Sequence, residues 1–397
     1  MCQSACPLRK RPRLLRAHRS LRRGLFLPAQ AEALIQRGFM KRICQRCNII
    51  SQDFNLWCQE KYCPAENATE IFDNGEWFGP IEIIEPLIIT RSAIVYHARR
   101  DKENILLKVA NVGCEEKLKL EAKAFLQLAK AGQHPLLPVL LPAHIQGSIE
   151  QHPYGWIVIE GRLKFYAIFK YAEGTVLRNL LLKNPQPWYQ HAGWIVISIA
   201  DVIYYLHRAG KLHLCINPDV ILIRFDKQGI PRPLLLDLGI SASGQAAIDA
   251  WNGNYNLPAY TAPEILSGSS SPGPATDVYG LGMLLYEMLA GRPAYEYHLK
   301  KDEAVVGEIS QAEFKPTGRI DLKNVPEIAE KAIQNQPGQR FADVPAFARA
   351  LQSNFPAIPA EKKPFRVNWR MVFIVLGSLL AISLLLLLAM SAVPVTP

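Results

Sequence analysis

Charged residues are scarce in this 397-residue sequence, at 20% of the chain, whereas apolar residues make up 49%. That balance excludes an intrinsically disordered or coiled-coil chain, and the lack of any internal repeat excludes a collagen-like one. The N-terminal region also lacks a long apolar run, so we expect no signal peptide. The length is sufficient for one to three domains with a sizeable buried core.

Acidic residues are nearly absent from residues 1–39, which hold nine Lys or Arg and one Glu. This stretch therefore supplies +8 of the total formal charge of +10, and residues 40–397 carry about +2. The basic pI is thus no evidence that the main body binds nucleic acid, and we expect no nucleic-acid partner. We interpret residues 1–39 as a disordered extension or an upstream start read in error, with binding to anionic lipid or nucleic acid as the alternative.

Charge is missing altogether from residues 371–390, of which eight are Leu. At about 1.5 Å per residue a helix of this length spans roughly 30 Å, the thickness of a bilayer core. A buried core helix of the same length would normally carry a polar stripe. Four basic residues precede the segment within a juxtamembrane linker, 353–370, and the short tail 391–397 is uncharged. We therefore predict a tail-anchored, single-pass membrane protein with its body in the cytoplasm and its tail outside.

Four of the eight cysteines follow the pattern Cys44-x2-Cys47-x10-Cys58-x4-Cys63. Two close cysteine pairs can present four thiolates to Zn²⁺ at about 2.3 Å, and metal binding would supply the folding energy of so short a segment. The second spacing is longer than in a typical zinc ribbon. Disulfides are the alternative, which a cytoplasmic location disfavours. We predict a zinc-ribbon-like motif over residues 40–70, with structural Zn²⁺ on the four cysteines.

The rest of the body combines short strand patterns with longer helical ones. Apolar or β-branched runs predict strands, and amphipathic segments predict helices. The predicted strands cover 81–89, 93–98, 105–109, 155–160 and 165–169, and the predicted helices cover 115–130, 194–208, 277–289, 325–333 and 342–351. A small β-rich lobe followed by a larger helical lobe predicts an α+β fold with a cleft between the lobes.

Short motifs occur along this body in a fixed order. They are Ile105-Leu-Leu-Lys108, Glu121 on the following helix, His213-Leu-Cys-Ile-Asn-Pro-Asp-Val220, Asp237-Leu238-Gly239, Ala262-Pro-Glu264, Asp277-Val-Tyr-Gly and Arg340. Over roughly residues 80–352 the chain therefore resembles the eukaryotic-type (Ser/Thr) protein kinase family. The resemblance implies a bilobal kinase-like domain over 79–352, with its N-lobe at 79–170 and its C-lobe at 171–352.

The resemblance also assigns roles to the polar motif residues. In the family, the lysine matched by Lys108 is held by the glutamate matched by Glu121 and neutralises nucleotide phosphates, while the aspartate matched by Asp237 holds Mg²⁺. Our alternative interpretation is that Lys108 and Glu121 form a retained ion pair that fixes the helix against the sheet. The sequence leaves both uses open.

The other matched motifs are architectural in the family. Glu264 and Arg340 would tie the activation segment to the C-lobe, and Asp277 would hold the backbone of the catalytic loop. His213 and Leu238 would stack in the apolar spine that joins the lobes, and Gly239 completes the match of Asp237-Leu238-Gly239 to the family's Asp-Phe-Gly.

Much of the family's catalytic machinery is missing. The segment 87–98 contains no glycine, so its backbone cannot easily approach phosphate oxygens. Leu106 replaces the alanine that leaves room for a purine. Cys215 stands at the catalytic-base position, and a thiol with an ordinary pKa of about 8.5 is mostly neutral at pH 7. Val220 replaces the second Mg²⁺ ligand and offers no oxygen.

These coordinated losses predict a catalytically inactive pseudokinase in which ATP and Mg²⁺ are doubtful ligands, while Lys108, Glu121 and Asp237 leave weak nucleotide binding through one metal open. We expect it to act as a signalling scaffold or regulator that binds a cytoplasmic protein. The alternative is an atypical, low-activity ATP-dependent Ser/Thr kinase that uses Lys108 and Asp237 without a protein base. Because a general base contributes about 10²–10⁴ in rate, slow turnover is physically compatible with its loss.

Overall fold

The structure is a computed structural model. It describes residues 41–44, 50–51, 63, 68–144, 147–242, 244–250, 252–253, 255–312, 314–322, 324–361 and 373–383. The predicted basic extension 1–39 and the tail 391–397 lie outside these residues.

A small antiparallel sheet precedes the main body. It contains β1 (Lys41–Cys44), β2 (Ile50–Ser51) and β3 (Ala68–Ile71), in the order β2-β1-β3. Ile43 and Ile71 are each 2% exposed and belong to the same hydrophobic cluster as the strands of the N-lobe. The described part of the predicted ribbon is therefore docked on the N-lobe by burial of apolar side chains.

The N-lobe is built on a sheet with the path β4-β5-β6-β7-β10-β8, with β9 paired to β10. Its strands are β4 (Trp77–Phe78), β5 (Ile81–Ile89), β6 (Ala93–Arg100), β7 (Glu103–Ala110), β8 (Leu140–Leu141), β9 (Gly155–Ile159) and β10 (Arg162–Lys170). Helix α1 (Glu115–Gly132) packs against β10, where the rings of Phe125 and Phe169 lie 4.9 Å apart. The apolar stripe of α1 buries its i, i+3 and i+4 positions against the sheet.

The C-lobe is mainly helical. It contains the small sheet β11 (Thr175–Val176), β12 (Ile221–Phe225) and β13 (Pro231–Leu235) and the helices α2 (Leu177–Lys183), α3 (Tyr189–Arg208), α4 (Gly244–Ala250), α5 (Pro263–Ser267), α6 (Pro274–Ala290), α7 (Asp302–Ser310), α8 (Val325–Ala332) and α9 (Val344–Gln352). Helix α6 is buried along almost its whole length, because α3, α8 and α9 pack around it. The predicted bilobal α+β fold is confirmed.

One hydrophobic cluster crosses from lobe to lobe. It contains Leu106 and Phe169 of the N-lobe together with Leu222 and Leu238 of the C-lobe, each at most 3% exposed. The two lobes therefore share a continuous apolar core.

The residues after α9 remain packed on the C-lobe. The indole N–H of Trp194 donates to the Pro356 carbonyl at 2.9 Å, and Arg224 pairs with Glu361 at 2.9 Å. Phe355 is 8% exposed and covers Gly193, where a Cβ would lie 2.5 Å from its ring. The packed body thus extends to residue 361, whereas the sequence placed a linker from residue 353 onward.

Residues 373–383 are helical and carry large apolar side chains that are more than half exposed. Across the described residues, no helix is long and apolar enough to cross a membrane. The remainder of the predicted span 371–390 lies outside those residues.

Candidate functional site

Lys108 on β7 and Glu121 on α1 meet beneath the N-lobe sheet. Lys108 Nζ lies 2.7 Å from both carboxylate oxygens of Glu121, and the two side chains are 3% and 2% exposed. The same Nζ lies 2.7 Å from Oδ2 of Asp237. Glu121 also accepts a 2.9 Å hydrogen bond from the Leu238 N–H. The sheet, the helix and the C-lobe are therefore joined by one buried polar cluster.

A second lysine, Lys117, completes this cluster and was not predicted from the sequence. Its Nζ lies 3.1 Å from Oδ1 and 3.0 Å from Oδ2 of Asp237, and its side chain is 4% exposed. Lys117 stands four residues before Glu121 on α1, so the two side chains project from one helix face. That spacing was the available indication, but a lysine in a helix is most often solvent-exposed.

The cluster keeps its charges although it is buried. Burial alone raises the pKa of Asp237, but the ammonium groups of Lys108 and Lys117 outweigh it and hold that pKa well below its ordinary value. Burial lowers the pKa of Lys117, yet the carboxylates of Asp237 and Glu121 raise it above its ordinary value. Two ammonium groups thus balance two carboxylates, which is the condition for burying charge in a core.

Cys215, at the position of the family's catalytic aspartate, is 3% exposed and packs among apolar side chains. That cluster consists of Leu212, Leu214, Ile240 and Ala247. Burial raises the pKa of the Cys215 thiol to about 12, despite the opposing effect of Lys117. The thiol is therefore protonated at neutral pH and cannot accept a proton as a general base.

Asp277 and His213 fix the backbone around Cys215. Asp277 accepts hydrogen bonds from the N–H groups of His213 at 2.9 Å and Leu214 at 2.7 Å. Nδ1 of His213 accepts from the Cys215 N–H at 3.2 Å, so its Nε2 donates to the Asp237 carbonyl at 2.9 Å. Burial lowers the pKa of His213, which keeps the ring neutral in this arrangement. The loop is thus held in place without its usual carboxylate.

Gly239 is required by the same turn. Its φ is +61°, and a Cβ there would lie 1.8 Å from the carbonyl oxygen of His213. Its N–H donates to Asp237 Oδ1 at 2.6 Å. Only glycine combines this backbone conformation with so close an approach.

The space that the resemblance assigns to a purine is filled. Leu106 is completely buried and shares one core with aliphatic side chains from both lobes that are at most 5% exposed. These side chains are Ile88, Val95, Leu222 and Leu236. Since protein cores are close-packed, a purine could enter only by displacing them.

A cavity of about 190 Å³ remains beside Asp237. Its wall includes Lys117, Cys215 and Val220, and Val220 has only an aliphatic side chain to offer at the second metal position. The cavity is smaller than the roughly 300–1,000 Å³ of typical small-molecule sites. The residues present at this site therefore do not fit the ATP–Mg²⁺ complex that the family binds.

The segment Thr90–Ser92, which stands where the family has its glycine-rich loop, is held by one residue of the N-lobe and one of the C-lobe. Asn111 Nδ2 donates to the carbonyl oxygens of Thr90 at 2.9 Å and Arg91 at 3.0 Å. The Arg91 guanidinium forms a bidentate ion pair with Asp302 at the start of α7, at 2.7 and 2.9 Å. This segment lines the cavity, and its ion pair to α7 joins the two lobes.

The N-terminal sheet contacts the same region. Thr69 Oγ1 donates to Asn111 Oδ1 at 3.2 Å, so β3 touches the residue that holds the loop over the cavity. Glu70 on β3 pairs with Lys164 at 2.5 Å and with Arg162, both on β10. The small sheet is therefore attached to the N-lobe by polar contacts as well as by its apolar residues.

Two of the four motif cysteines can be located. Cys44 Sγ and Cys63 Sγ lie 3.8 Å apart, whereas Cys47 and Cys58 lie outside the described residues. Within the part of the chain that the structure describes, no three metal-binding side chains form a group.

Glu264 and Arg340 form a buried bidentate pair and are not part of the cavity wall. The guanidinium nitrogens lie 2.8 and 2.7 Å from the carboxylate oxygens, and the side chains are 1% and 0% exposed. Arg340 also donates to the backbone carbonyls of Gln334, Asn335 and Ala275. The pair therefore ties the segment after Cys215 to the helical core.

The fold and this set of residues define a kinase-like bilobal domain. The family model described as "Protein kinase domain" matches residues 155–353, which is half of the chain. The chain therefore belongs to the protein kinase family.

Curated relatives are similar over part of their own lengths. Serine/threonine-protein kinase PknK of Mycobacterium tuberculosis is 28% identical over 207 residues, which is 51% of this chain and 18% of that protein. The human SNF-related serine/threonine-protein kinase is 25% identical over 184 residues, covering 46% of this chain and 23% of the relative. The matched region is thus about a fifth of the length of these relatives.

A crystal structure of a double mutant of the Mycobacterium tuberculosis PknI kinase domain has the same fold. It superposes with a TM-score of 0.51 and 18% identity, covering 72% of this chain and 99% of that domain.

Proposed function

We propose that this protein is a catalytically inactive pseudokinase that acts through protein binding, as a signalling scaffold or regulator. The observation that carries the proposal is the state of Cys215. A protonated, buried thiol packed among Leu212, Leu214 and Ile240 stands where phosphotransfer requires an exposed carboxylate. Cys215 therefore contributes to an apolar cluster at the position where the family has its catalytic aspartate.

Two further features support the proposal. The purine space is filled by Leu106, Val95 and Leu222, and the cavity beside Asp237 measures about 190 Å³. The Arg91–Asp302 ion pair also fixes the loop that would have to open for a nucleotide. A domain closed in this way presents one stable surface, as a scaffold requires.

The alternative, a slow kinase that uses Lys108 and Asp237, has one feature in its favour. The Lys108–Glu121 pair at 2.7 Å has the geometry that an active kinase needs. In this chain, however, Lys108 already binds Asp237 directly, so both groups would have to exchange partners before they could bind a nucleotide.

The test combines nucleotide binding and phosphotransfer on the full-length protein. We expect the melting temperature to stay constant up to millimolar ATP with Mg²⁺, and no phosphate to reach a mixture of protein substrates. Free ATP at about 100 times its Kd would add roughly 2.7 kcal/mol of stability if it bound the folded chain, and the melting temperature would shift measurably.

The matched variants are Lys108→Ala and Lys123→Ala, because Lys123 is an exposed lysine outside the buried cluster. Phosphotransfer or a Mg²⁺-dependent shift that disappears in Lys108→Ala and persists in Lys123→Ala would overturn the proposal and establish the slow kinase.

We also propose that the N-terminal motif binds structural Zn²⁺ through Cys44, Cys47, Cys58 and Cys63. In support, the 3.8 Å between Cys44 Sγ and Cys63 Sγ equals the ligand–ligand edge of a tetrahedral site with bonds of about 2.3 Å. We expect one zinc per purified chain, lost in Cys63→Ser and retained in Cys114→Ser. Equal zinc contents in the two variants, measured by mass spectrometry of the metal, would contradict this assignment.

Membrane attachment through residues 371–390, with the body in the cytoplasm, is a separate proposal that rests on the sequence of that segment. Its test compares the full chain with a chain ending at residue 361, where the packed body ends. We expect only the full chain to sediment with membranes and to require detergent. Equal distribution of the two chains between the membrane and the supernatant would contradict the proposal.

A further inference from the structure

The carboxylate of Asp237 is saturated by groups of the protein itself. Oδ1 contacts Lys117 Nζ at 3.1 Å and accepts from the Gly239 N–H at 2.6 Å. Oδ2 contacts Lys108 Nζ at 2.7 Å and Lys117 Nζ at 3.0 Å. An ionised carboxylate offers about four lone-pair positions. Four donor contacts occupy these positions, and two of them come from Lys117.

Lys117 approaches Asp237 from the cavity. Both residues belong to the cavity wall, together with Cys215 and Val220. A cation that bridged Asp237 to a bound phosphate would have to arrive from this side. The Lys117 ammonium bridges both carboxylate oxygens there, as a bound cation would.

We propose that Lys117 is a built-in replacement for the divalent cation, so that Asp237 is neutralised permanently and takes no Mg²⁺. The residues around Asp237 therefore disagree with the metal that the fold family implies. A divalent ion would have to displace the ammonium and then remain beside its positive charge in a poorly solvated space. Lys117 is charged at neutral pH, because the nearby carboxylates raise its pKa.

This inference deepens the proposed function and rests on it, but it concerns the metal and not the base at Cys215. It also explains how the closed arrangement of Lys108, Glu121 and Asp237 holds together without a ligand. A lysine delivered by α1 ties this helix to the C-lobe through the same carboxylate. The helix position would then be independent of nucleotide and metal supply.

The test is Mn²⁺ binding to the zinc-loaded full-length chain, followed by electron paramagnetic resonance. We compare wild type, Lys117→Met, Lys117→Gln and the double variant Lys117→Met/Asp237→Asn. We expect no Mn²⁺ site at Asp237 in wild type. Either Lys117 variant should gain one Mn²⁺ site, with an affinity at least about tenfold above any residual Mn²⁺ binding of wild type, and the double variant should lack this site. Two neutral replacements guard against a variant that fails to fold, which near-ultraviolet circular dichroism would reveal.

A measurement on the unmodified protein locates any bound metal directly. Fe²⁺ with ascorbate and peroxide cleaves the backbone close to its binding site. We expect no cleavage around residues 215–237 in wild type. Cleavage there, or folded Lys117 variants that gain no Mn²⁺, would overturn the inference. These experiments measure metal binding and not phosphotransfer. Failure of the proposed function would be detected separately, as phosphate transfer to a protein substrate.

Discussion

Removal of the Arg340 side chain is the perturbation whose energetic effect the structure defines most directly. Arg340→Ala deletes the bidentate pair to Glu264 and three hydrogen bonds to backbone carbonyls. Both side chains are essentially inaccessible, so the remaining carboxylate would be buried without a partner. Loss of one member of a buried pair costs about 3–5 kcal/mol. At about 2–4 °C per kcal/mol for a domain of this size, the melting temperature should fall by about 6–20 °C.

The assay is urea unfolding followed by tryptophan fluorescence, with Arg319→Ala as the matched control. Arg319 also pairs with an aspartate, Asp321, at 2.9 Å, but the side chains are 24% and 61% exposed. Exposed pairs contribute about 0–1 kcal/mol, so the control should stay close to wild type. Arg340→Lys should recover only part of the loss, since one ammonium cannot reproduce a planar bidentate contact. A loss below about 1 kcal/mol for Arg340→Ala would refute the reasoning.

Four further predictions concern the site. Gly239→Ala should lower the free energy of unfolding in urea by at least about 2 kcal/mol more than Gly210→Ala does. Both glycines have positive φ, but only at Gly239 would a Cβ lie 1.8 Å from a backbone oxygen. Equal decreases would contradict this prediction. The pKa of Asp237 is lowered, so its ionised form stabilises the fold above about pH 4 and this contribution is lost as pH falls through the folded pKa. The stability difference between wild type and Asp237→Asn should therefore shrink below pH 4, and a constant difference would argue against the charge cluster. Because the thiol pKa of Cys215 is about 12, its alkylation by iodoacetamide at pH 8 should be at least about a hundredfold slower in the folded than in the unfolded chain; comparable rates would mean that the thiol is accessible. Asn111→Ala should accelerate amide exchange at Arg91–Ala93, since it removes the bonds to the Thr90 and Arg91 carbonyls, whereas unchanged exchange would show that these two bonds do not hold the loop.

Local patterns were enough to predict five strands and five helices of the body, including its three longest helices. The strand predicted at 81–89 is observed as Ile81–Ile89, and the helix predicted at 115–130 is observed as Glu115–Gly132. Period-2 and period-3.6 burial are properties of neighbouring residues, so they can be read without the fold. The end of the packed body was misjudged, because the Trp194–Pro356 and Arg224–Glu361 contacts join distant parts of the chain.

The sequence by itself determined the family and the residue replacements at its catalytic positions. The order of the motifs identified a protein kinase. Leu106, Cys215 and Val220 replace family residues at motif positions, and these replacements can be recognised without the structure. These conclusions depend on residue type at a position in a motif, and no distance is needed to reach them.

Only the tertiary structure decided what occupies the vacated site. Lys117 reaches Asp237 across 120 residues, and Arg91 meets Asp302 across 211. Contacts of this kind depend on how the lobes close and on which helix face turns inward. A buried lysine and an exposed lysine cannot be distinguished by residue type. The fold gives them different electrostatic surroundings, and these surroundings give them different roles.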